Sequence, residues 1–174
     1  NLALSAINIE QNKIKENVGS QDQTIASYGG LNKINFSSNK KIIVNKITMK
    51  ESSFKKFNDS LVLFFTGFSR NSSDVTKYYL KNMKNNESKL LEISHITKEA
   101  FNIFQSKEID IRKIGFYLNE SWKLKRNLSS KVTNELIDNI YQNGIDNGAL
   151  GGKLLGAGSG GFICFLVDPS EKKK

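Results

Sequence analysis

The strongest constraint on the fold is a glycine-rich stretch near the end of the chain, residues 151–162, which reads GGKLLGAGSGGF. Its six glycines within eleven residues permit positive φ angles and let another group approach the backbone closely. Successive N–H groups in such a loop can point into one concavity and hold an anion. The stretch therefore favours a phosphate-facing loop. The alternative is an ordinary glycine-rich hairpin turn.

Two common nucleotide motifs do not fit this stretch. Its glycines match G-x-G-x-x-G, and Gly152-Lys153 resembles the end of a P-loop. However, a P-loop needs Ser or Thr after its lysine, where this chain has Leu154, and the dinucleotide motif must open a helix. Residues 162–167 are instead a short apolar run ended by Asp168-Pro169, which is typical of a strand. We therefore expect the loop to join two strands.

Composition indicates a globular chain with moderate positive charge. Of its 174 residues, 38% are hydrophobic and 10% aromatic, which is enough for a core. The formal net charge is +9, and three of these charges are the lysines at 172–174. The remaining lysines are dispersed, not interleaved with aromatics in one basic segment, so we predict anionic small-molecule partners and no nucleic acid.

The few cysteine and histidine residues exclude several classes of site. Cys164 is the only cysteine and His95 the only histidine, so a disulfide framework and a cysteine–histidine zinc site are excluded. A lone cysteine fits a reducing, cytoplasmic setting. No apolar run approaches the ~20 residues of a membrane helix, so we expect no membrane association. The sequence does not indicate an oligomeric state.

The order of periodic segments predicts an α+β fold. A helix at the start is followed by a hairpin at 31–36 and 41–47, then by a strand, Leu61–Phe65, that is apolar on both faces. After a boundary near Gly67, four helices are predicted: one from Ser72 to Met83, one through Leu90 and Phe104, one through Ile111 and Trp122, and one from Ser129-Ser130 to a glycine cap at Gly148. The glycine loop and a last strand close the chain.

Four charged residues are candidates for chemistry, each with a structural alternative. Asp22 lies in a short polar loop and is the best candidate for a general base, or it caps a helix. Glu10 could bind Mg²⁺, or belong to a solvated helical face. Arg70 and Lys153 could bind phosphate or sugar, or lie at the surface. Trp122 is expected in the core, with its basic neighbours solvated.

Three segments together carry a resemblance to a known family. They are GSQDQ at 19–23 with YGGLN at 28–32, TGFSR at 66–70, and the glycine stretch at 151–162. In order and context they resemble the GHMP-superfamily sugar kinases, and most closely the D-glycero-D-manno-heptose 7-phosphate kinases. The ESW segment at 120–122 and KRNLS at 125–129 add to the likeness. The resemblance covers essentially the whole chain.

The resemblance implies a GHMP-kinase-like α+β fold: residues 1–67 would be a remnant of the N-terminal domain, and 68–174 a helix-rich, ferredoxin-like C-terminal domain. It implies phosphoryl transfer from ATP, with Mg²⁺, to a hydroxyl of a sugar or sugar phosphate, with the anomeric hydroxyl of a heptose 7-phosphate expected. The implied site residues are Asp22 as catalytic base, Arg70, Gln23 and Tyr28 for substrate, Glu10 for metal, and Lys153, Gly156, Ala157, Gly158, Ser159, Gly160 and Gly161 for the nucleotide phosphates.

The chain also departs from the family pattern. The ATP loop of the family, a Gly-Leu-Ser-Ser type segment, is expected before Asn1, and the final strands after Val167, so we expect a distal fragment of such a kinase. Ser159 stands where the family usually has glycine, which a loop accommodates if φ is negative there. The alternatives are a non-catalytic phosphate-binding or subunit-interaction fragment, and a galactokinase-like or fucokinase-like specificity.

Overall fold

The computed structural model describes residues 1–39, 41–68 and 84–172. Arg70 and the helix predicted from residue 72 to 83 lie outside the described residues. The chain divides by its contacts into two compact units, Asn1–Met49 and Lys50–Lys174. The sequence placed a domain boundary at residue 67. The contacts group residues 50–67 with the second unit, because the strand at 61–65 pairs with the last strand of that unit, and the domain boundary at residue 67 stays a prediction.

The first unit begins with two helices. Helix α1 (Leu2–Asn8) is capped by the side chain of Asn1 and continues into a π-helical turn, Ile9–Lys13. Helix α2 (Gln21–Tyr28) follows, and Gly29, with φ +62°, ends it. The predicted polar loop around Asp22 is therefore wrong, and so is its alternative as an N-cap, because Ser20 holds the cap position.

A two-stranded hairpin completes the first unit, as the sequence predicted. Strands β1 (Asn32–Phe36) and β2 (Ile42–Lys46) are antiparallel, with Asn32 opposite Lys46 and Phe36 opposite Ile42. The turn between them is closed by a hydrogen bond from the Ser37 N–H to the Lys41 carbonyl at 3.0 Å. This backbone bond continues the hairpin beyond the pair of Phe36 and Ile42.

The second unit packs helices on a three-stranded antiparallel sheet. Its elements are helix α3 (Glu51–Ser60), strand β3 (Leu61–Phe65), a short 3₁₀ turn (Lys84–Asn86), helices α4 (Glu87–Phe104), α5 (Ile111–Arg126) and α6 (Glu135–Asp146), strands β4 (Gly151–Leu154) and β5 (Phe162–Leu166), and a closing 3₁₀ turn (Pro169–Glu171). The strand order is β3-β5-β4, so the last strand of the sequence is central. The helices and small sheets agree with the predicted α+β class.

Two predictions about these elements are wrong in detail. Strand β3 was predicted to be buried on both faces, but it is an edge strand, and Leu63 is 61% exposed. Helix α6 was predicted to start near Ser129, but it starts at Glu135, because Asn134 accepts the N–H of Ile137 at 3.0 Å and caps the helix. Its end is as predicted, with Gly148 at φ +96°.

Two hydrophobic clusters cover the central strand. The larger contains Trp122, which is completely buried as expected, and its ring centroid lies 5.9 Å from that of Tyr141. Ile163 and Phe165 of β5 join this cluster. Leu166 packs into the second cluster, against which α4 places Ile103 and Phe104. The helices α5 and α4 thus anchor the strand that follows the glycine loop.

Candidate functional site at the glycine loop

The glycine loop joins two antiparallel strands, as predicted. Leu154 at the end of β4 lies opposite Ile163 of β5, and the N–H of Leu155 donates to the carbonyl of Phe162 at 2.8 Å. Residues 155–161 therefore form the tip of a hairpin. Both strands are anchored in the buried core, which fixes the base of the loop.

Ser159 has a φ of +66°, so the expectation of a negative angle is wrong. A non-glycine residue in this region is disfavoured by about 1–2 kcal/mol. Two contacts hold it there: its N–H donates to the Val132 carbonyl at 2.8 Å, and its hydroxyl donates to the Lys131 carbonyl. The serine thus bonds the loop to the segment before α6 through both its backbone and its side chain. A glycine at this position would keep only the backbone bond.

Some glycines of the loop are required by neighbouring protein backbone. A Cβ on Gly158 would lie 2.8 Å from the Val132 carbonyl oxygen, and one on Gly160 would lie 2.9 Å from that of Phe68. The N–H of Gly161 donates to the same Phe68 carbonyl at 2.9 Å. In this conformation the second half of the loop therefore directs two N–H groups, those of Ser159 and Gly161, at protein carbonyls.

Two lysines meet at the first half of the loop. The ammonium of Lys125, on α5, donates to the carbonyl of Gly156 at 2.5 Å and lies 3.4 Å from that of Leu154. Lys153, on β4, donates to the hydroxyl of Ser121 at 2.9 Å. Ser121 and Lys125 are four residues apart and share one face of α5. The packing of α5 on β4 thus brings both ammonium groups to this half of the loop.

Burial perturbs both lysines. It lowers the pKa of Lys153, and it lowers the pKa of Lys125 to about 8, with the positive charge of Lys153 adding to the effect. Within the described part of the chain, neither ammonium has a carboxylate at salt-bridge distance. The first half of the loop therefore lies beside two half-buried ammonium groups whose positive charge no carboxylate of the described residues offsets.

Sequence reasoning missed Lys125, which it placed among solvated neighbours of Trp122. That is correct for Lys123, which pairs with Glu120 and is 58% exposed, but wrong for Lys125. The helical spacing of the sequence indicates that Lys125 lies on the packed face of α5. Lys125 lies four residues after Ser121, which is buried, on a helix that also buries Trp122.

In the first unit, two predicted site residues contact each other. The side-chain amide of Gln23 donates to the carboxylate of Glu10 at 2.5 Å. Gln23 is buried, and its Oε1 has no hydrogen-bond partner among the described residues. Gln11 donates to the Val18 carbonyl at 3.0 Å and to the Ser20 hydroxyl at 3.2 Å. These bonds hold the segment that connects the π-helical turn to α2.

Asp22 and Tyr28 lie at opposite ends of α2. Asp22 is exposed in the first turn, and Tyr28, at the last position, is 51% exposed. Six residues separate them, so they do not share a helix face. Both side chains are accessible, whereas Gln23 between them is directed at Glu10. The expectation that the glycine loop faces Asp22 stays a prediction.

The described residues offer no preformed cluster for a metal. No group of three or more His, Cys, Asp or Glu side chains that could hold an ion occurs within 1–39, 41–68 and 84–172. In the same ranges, no helix combines the length and apolarity needed to cross a bilayer.

Comparison with known proteins places these features in a family. Residues 99–174 match the family GHMP kinases C terminal. The chain is 35% identical over 175 aligned residues to D-glycero-alpha-D-manno-heptose 7-phosphate kinase of Campylobacter jejuni, covering 98% of this chain and 50% of that protein. The chain therefore spans about half the length of this relative.

Solved structures agree on the fold. A proposed sugar kinase from Campylobacter jejuni is 33% identical with a TM-score of 0.63, covering 97% of this chain and 47% of that one. Mevalonate kinase of L. major, at 24% identity, superposes with a TM-score of 0.71 over 95% of this chain and 48% of its own. The resemblance inferred from the three sequence segments is confirmed, and the chain contains the C-terminal domain of the GHMP kinase family.

Proposed function

We propose that the protein is part of an ATP-dependent sugar kinase. The phosphoryl acceptor would be the anomeric hydroxyl of a heptose 7-phosphate or of a similar sugar. The observation that carries this proposal is the 35% identity to a heptose 7-phosphate kinase over 98% of the chain. The site residues add chemical support. Phosphoryl transfer needs a group that orients the acceptor hydroxyl and positive charge near the transferred phosphoryl group.

Asp22 is the proposed general base. Its carboxylate is exposed in the first turn of α2 and can accept the proton of an incoming hydroxyl. Tyr28, at the other end of this helix, offers an exposed ring and a hydroxyl to a sugar. The buried Oε1 of Gln23 lacks a donor among the described residues, and leaving such an acceptor unsatisfied is unfavourable. Gln23 is a further proposed substrate residue, and a sugar hydroxyl would supply that donor only after the side chain moves towards the surface.

Glu10 is the proposed Mg²⁺ ligand. Mg²⁺ usually takes one or two protein carboxylates together with substrate phosphates, so a single carboxylate without a larger cluster fits this metal. When bound, Mg²⁺ would offset negative charge on the transferred phosphoryl group. Gln23 supports this role by holding one carboxylate oxygen of Glu10, which limits the orientations available to the side chain.

The glycine loop and Lys153 are the proposed phosphate site. The ammonium of Lys153 is half-buried without a carboxylate partner in the described residues, so a phosphate group would provide the missing opposite charge. Residues 156–161 are proposed to supply the close backbone approach that a phosphate requires, and within them the N–H groups of Ser159 and Gly161 already donate to protein carbonyls. Arg70, which lies outside the described residues, remains a proposed ligand of the substrate.

The direct test is a kinase assay on the full product of the gene. With ATP, Mg²⁺ and a heptose 7-phosphate, we expect a second phosphate on the anomeric oxygen, observed by phosphorus NMR. Asp22→Asn should lower turnover by about 10²-fold or more. Asp146→Asn, an exposed change of equal charge on α6, is the control. Near-normal turnover of the Asp22 variant would remove that residue from the mechanism.

A second candidate is a non-catalytic fragment that binds phosphate or a partner subunit. It is favoured by one observation, that the N–H groups of Ser159 and Gly161 in the glycine loop already donate to protein carbonyls. Calorimetry with ATP and Mg²⁺ separates the two, because binding to the 174-residue chain argues against a degenerate fragment. Galactose and fucose, tested beside the heptose, address the alternative specificities. We also propose a cytoplasmic location, since the single cysteine suits a reducing compartment.

A further inference from the structure

We propose that Lys125 of α5 and Lys153 of β4 form a two-lysine platform that binds one phosphate group at the first half of the glycine loop. This inference rests on the phosphate role proposed above for the loop. It adds Lys125 as a binding residue, and it locates the phosphate beside residues 154–156, away from the N–H groups of Ser159 and Gly161.

The hydrogen-bonding capacity of the two lysines supports this location. An ammonium group has three donors. Lys125 directs donors at the carbonyls of Leu154 and Gly156, and Lys153 directs one at the hydroxyl of Ser121. Among the described residues, these bonds leave one donor on Lys125 and two on Lys153. A phosphate oxygen accepts readily from each of them.

The charge balance points to the same ligand. Burying an ammonium group without an opposite charge is unfavourable, and two such groups near each other also repel. The lowered pKa of Lys125 reports both effects. A phosphate monoester carries close to two negative charges at neutral pH, which is the amount needed to balance this pair. A monovalent carboxylate would balance only half.

The second half of the loop is less available to the phosphate. The N–H groups of Ser159 and Gly161 already donate to the carbonyls of Val132 and Phe68 at 2.8 and 2.9 Å. A phosphate bound there would have to displace both bonds, and the hydroxyl contact of Ser159 as well. The platform requires no such rearrangement, because its unused donors are already at the loop.

The test is an NMR titration of the isotope-labelled 174-residue chain with inorganic phosphate. We expect saturable shifts at the amides of residues 154–157 that exceed those at 159–161. Lys125→Met should weaken binding by about tenfold or more, and Lys125→Arg should retain most of it. Lys123→Met is the matched control: it removes the same charge from the same helix, but its ammonium is exposed and paired with Glu120.

Three outcomes would overturn the proposal: no saturable shift with phosphate, unchanged affinity in Lys125→Met, or equal weakening in Lys123→Met. If Lys125→Met does not fold, reductive methylation of the wild-type chain decides. Phosphate should then protect Lys125 and Lys153, but not Lys123, from modification. Equal modification with and without phosphate would contradict the platform.

Competition identifies the source of the phosphate. Displacement of inorganic phosphate by ATP with Mg²⁺ would assign the platform to the nucleotide, and displacement by a hexose 6-phosphate would assign it to the sugar substrate. The outcome is separable from that of the proposed reaction. Phosphate binding at the platform without kinase activity would contradict the proposed reaction and support the platform. Kinase activity that is unaffected by Lys125→Met would support the reaction and contradict the platform.

Discussion

Gln23 and Glu10 are joined by a 2.5 Å hydrogen bond between the side-chain amide and the carboxylate, which links α2 to the π-helical turn. π-Helical turns occur often at functional sites. The link means that a predicted substrate residue and a predicted metal residue are not independent. A substitution of Gln23 should therefore change the orientation of the Glu10 side chain.

Gln23→Leu should destabilise the first unit by about 1 kcal/mol, because it removes the donor to the Glu10 carboxylate, although it also removes the unpaired Oε1 of Gln23. Urea unfolding followed by circular dichroism measures the loss. Gln21→Leu, in the same helical turn but exposed, is the matched control and should change stability by less than about 0.5 kcal/mol. Equal effects of the two variants would contradict the link.

Ser159→Ala should be less stable than Ser159→Gly. Alanine keeps the unfavourable positive φ and loses the hydroxyl bond to Lys131, so we expect a loss of about 1 kcal/mol. Glycine loses the same bond but relieves about 1 kcal/mol of backbone strain, so we expect little net change. Thermal unfolding of both variants checks the order. A glycine variant less stable than the alanine variant would refute this account.

Gly158→Ala should be more damaging than Gly156→Ala. Both residues have positive φ, which costs about 1 kcal/mol for alanine. At Gly158 the new Cβ would also lie 2.8 Å from the Val132 carbonyl oxygen, whereas at Gly156 nothing lies within 4 Å. Melting temperatures of the two variants measure the difference. Similar values would show that the loop can move away from Val132.

Stability should rise with pH because of Lys125. Its pKa is about 8 in the folded chain against 10.5 ordinarily, so between these values the unfolded chain binds more protons. The free energy of unfolding should therefore increase as the pH is raised above about 8, and the increase should be smaller in Lys125→Met. Urea unfolding at several pH values tests this. An identical pH dependence in wild type and variant would contradict the lowered pKa.

The elements with a clear hydrophobic period were predicted well. The errors arose where contacts between residues far apart in the sequence determine the structure. The hairpin of β1 and β2 and the strand after the glycine loop follow from local patterns. The exposure of Leu63 does not, because it depends on whether other elements cover its face of the sheet, and Leu63 joins neither hydrophobic cluster. The same apolar run would be equally compatible with a central strand.

In the candidate site, too, the local features were predicted and the features that depend on distant residues were not. Glycine spacing located the loop, but the positive φ of Ser159 depends on the carbonyls of Lys131 and Val132, nearly thirty residues away in sequence. The burial of Lys125 likewise depends on the packing of α5 against β4, which no local pattern contains. Lys123, two residues earlier, is exposed and has the same charge.

The position of β3 also governs how the chain behaves at high concentration. Within the described residues this strand pairs only with β5, so its other side presents unpaired backbone groups, and the side chains of Leu63, Phe64 and Phe65 are each about half exposed or more. An open edge with apolar side chains can add strands from other molecules. This strand is therefore a place where copies of the chain can pair, and a lysine in place of Leu63 would oppose such pairing without entering either hydrophobic cluster.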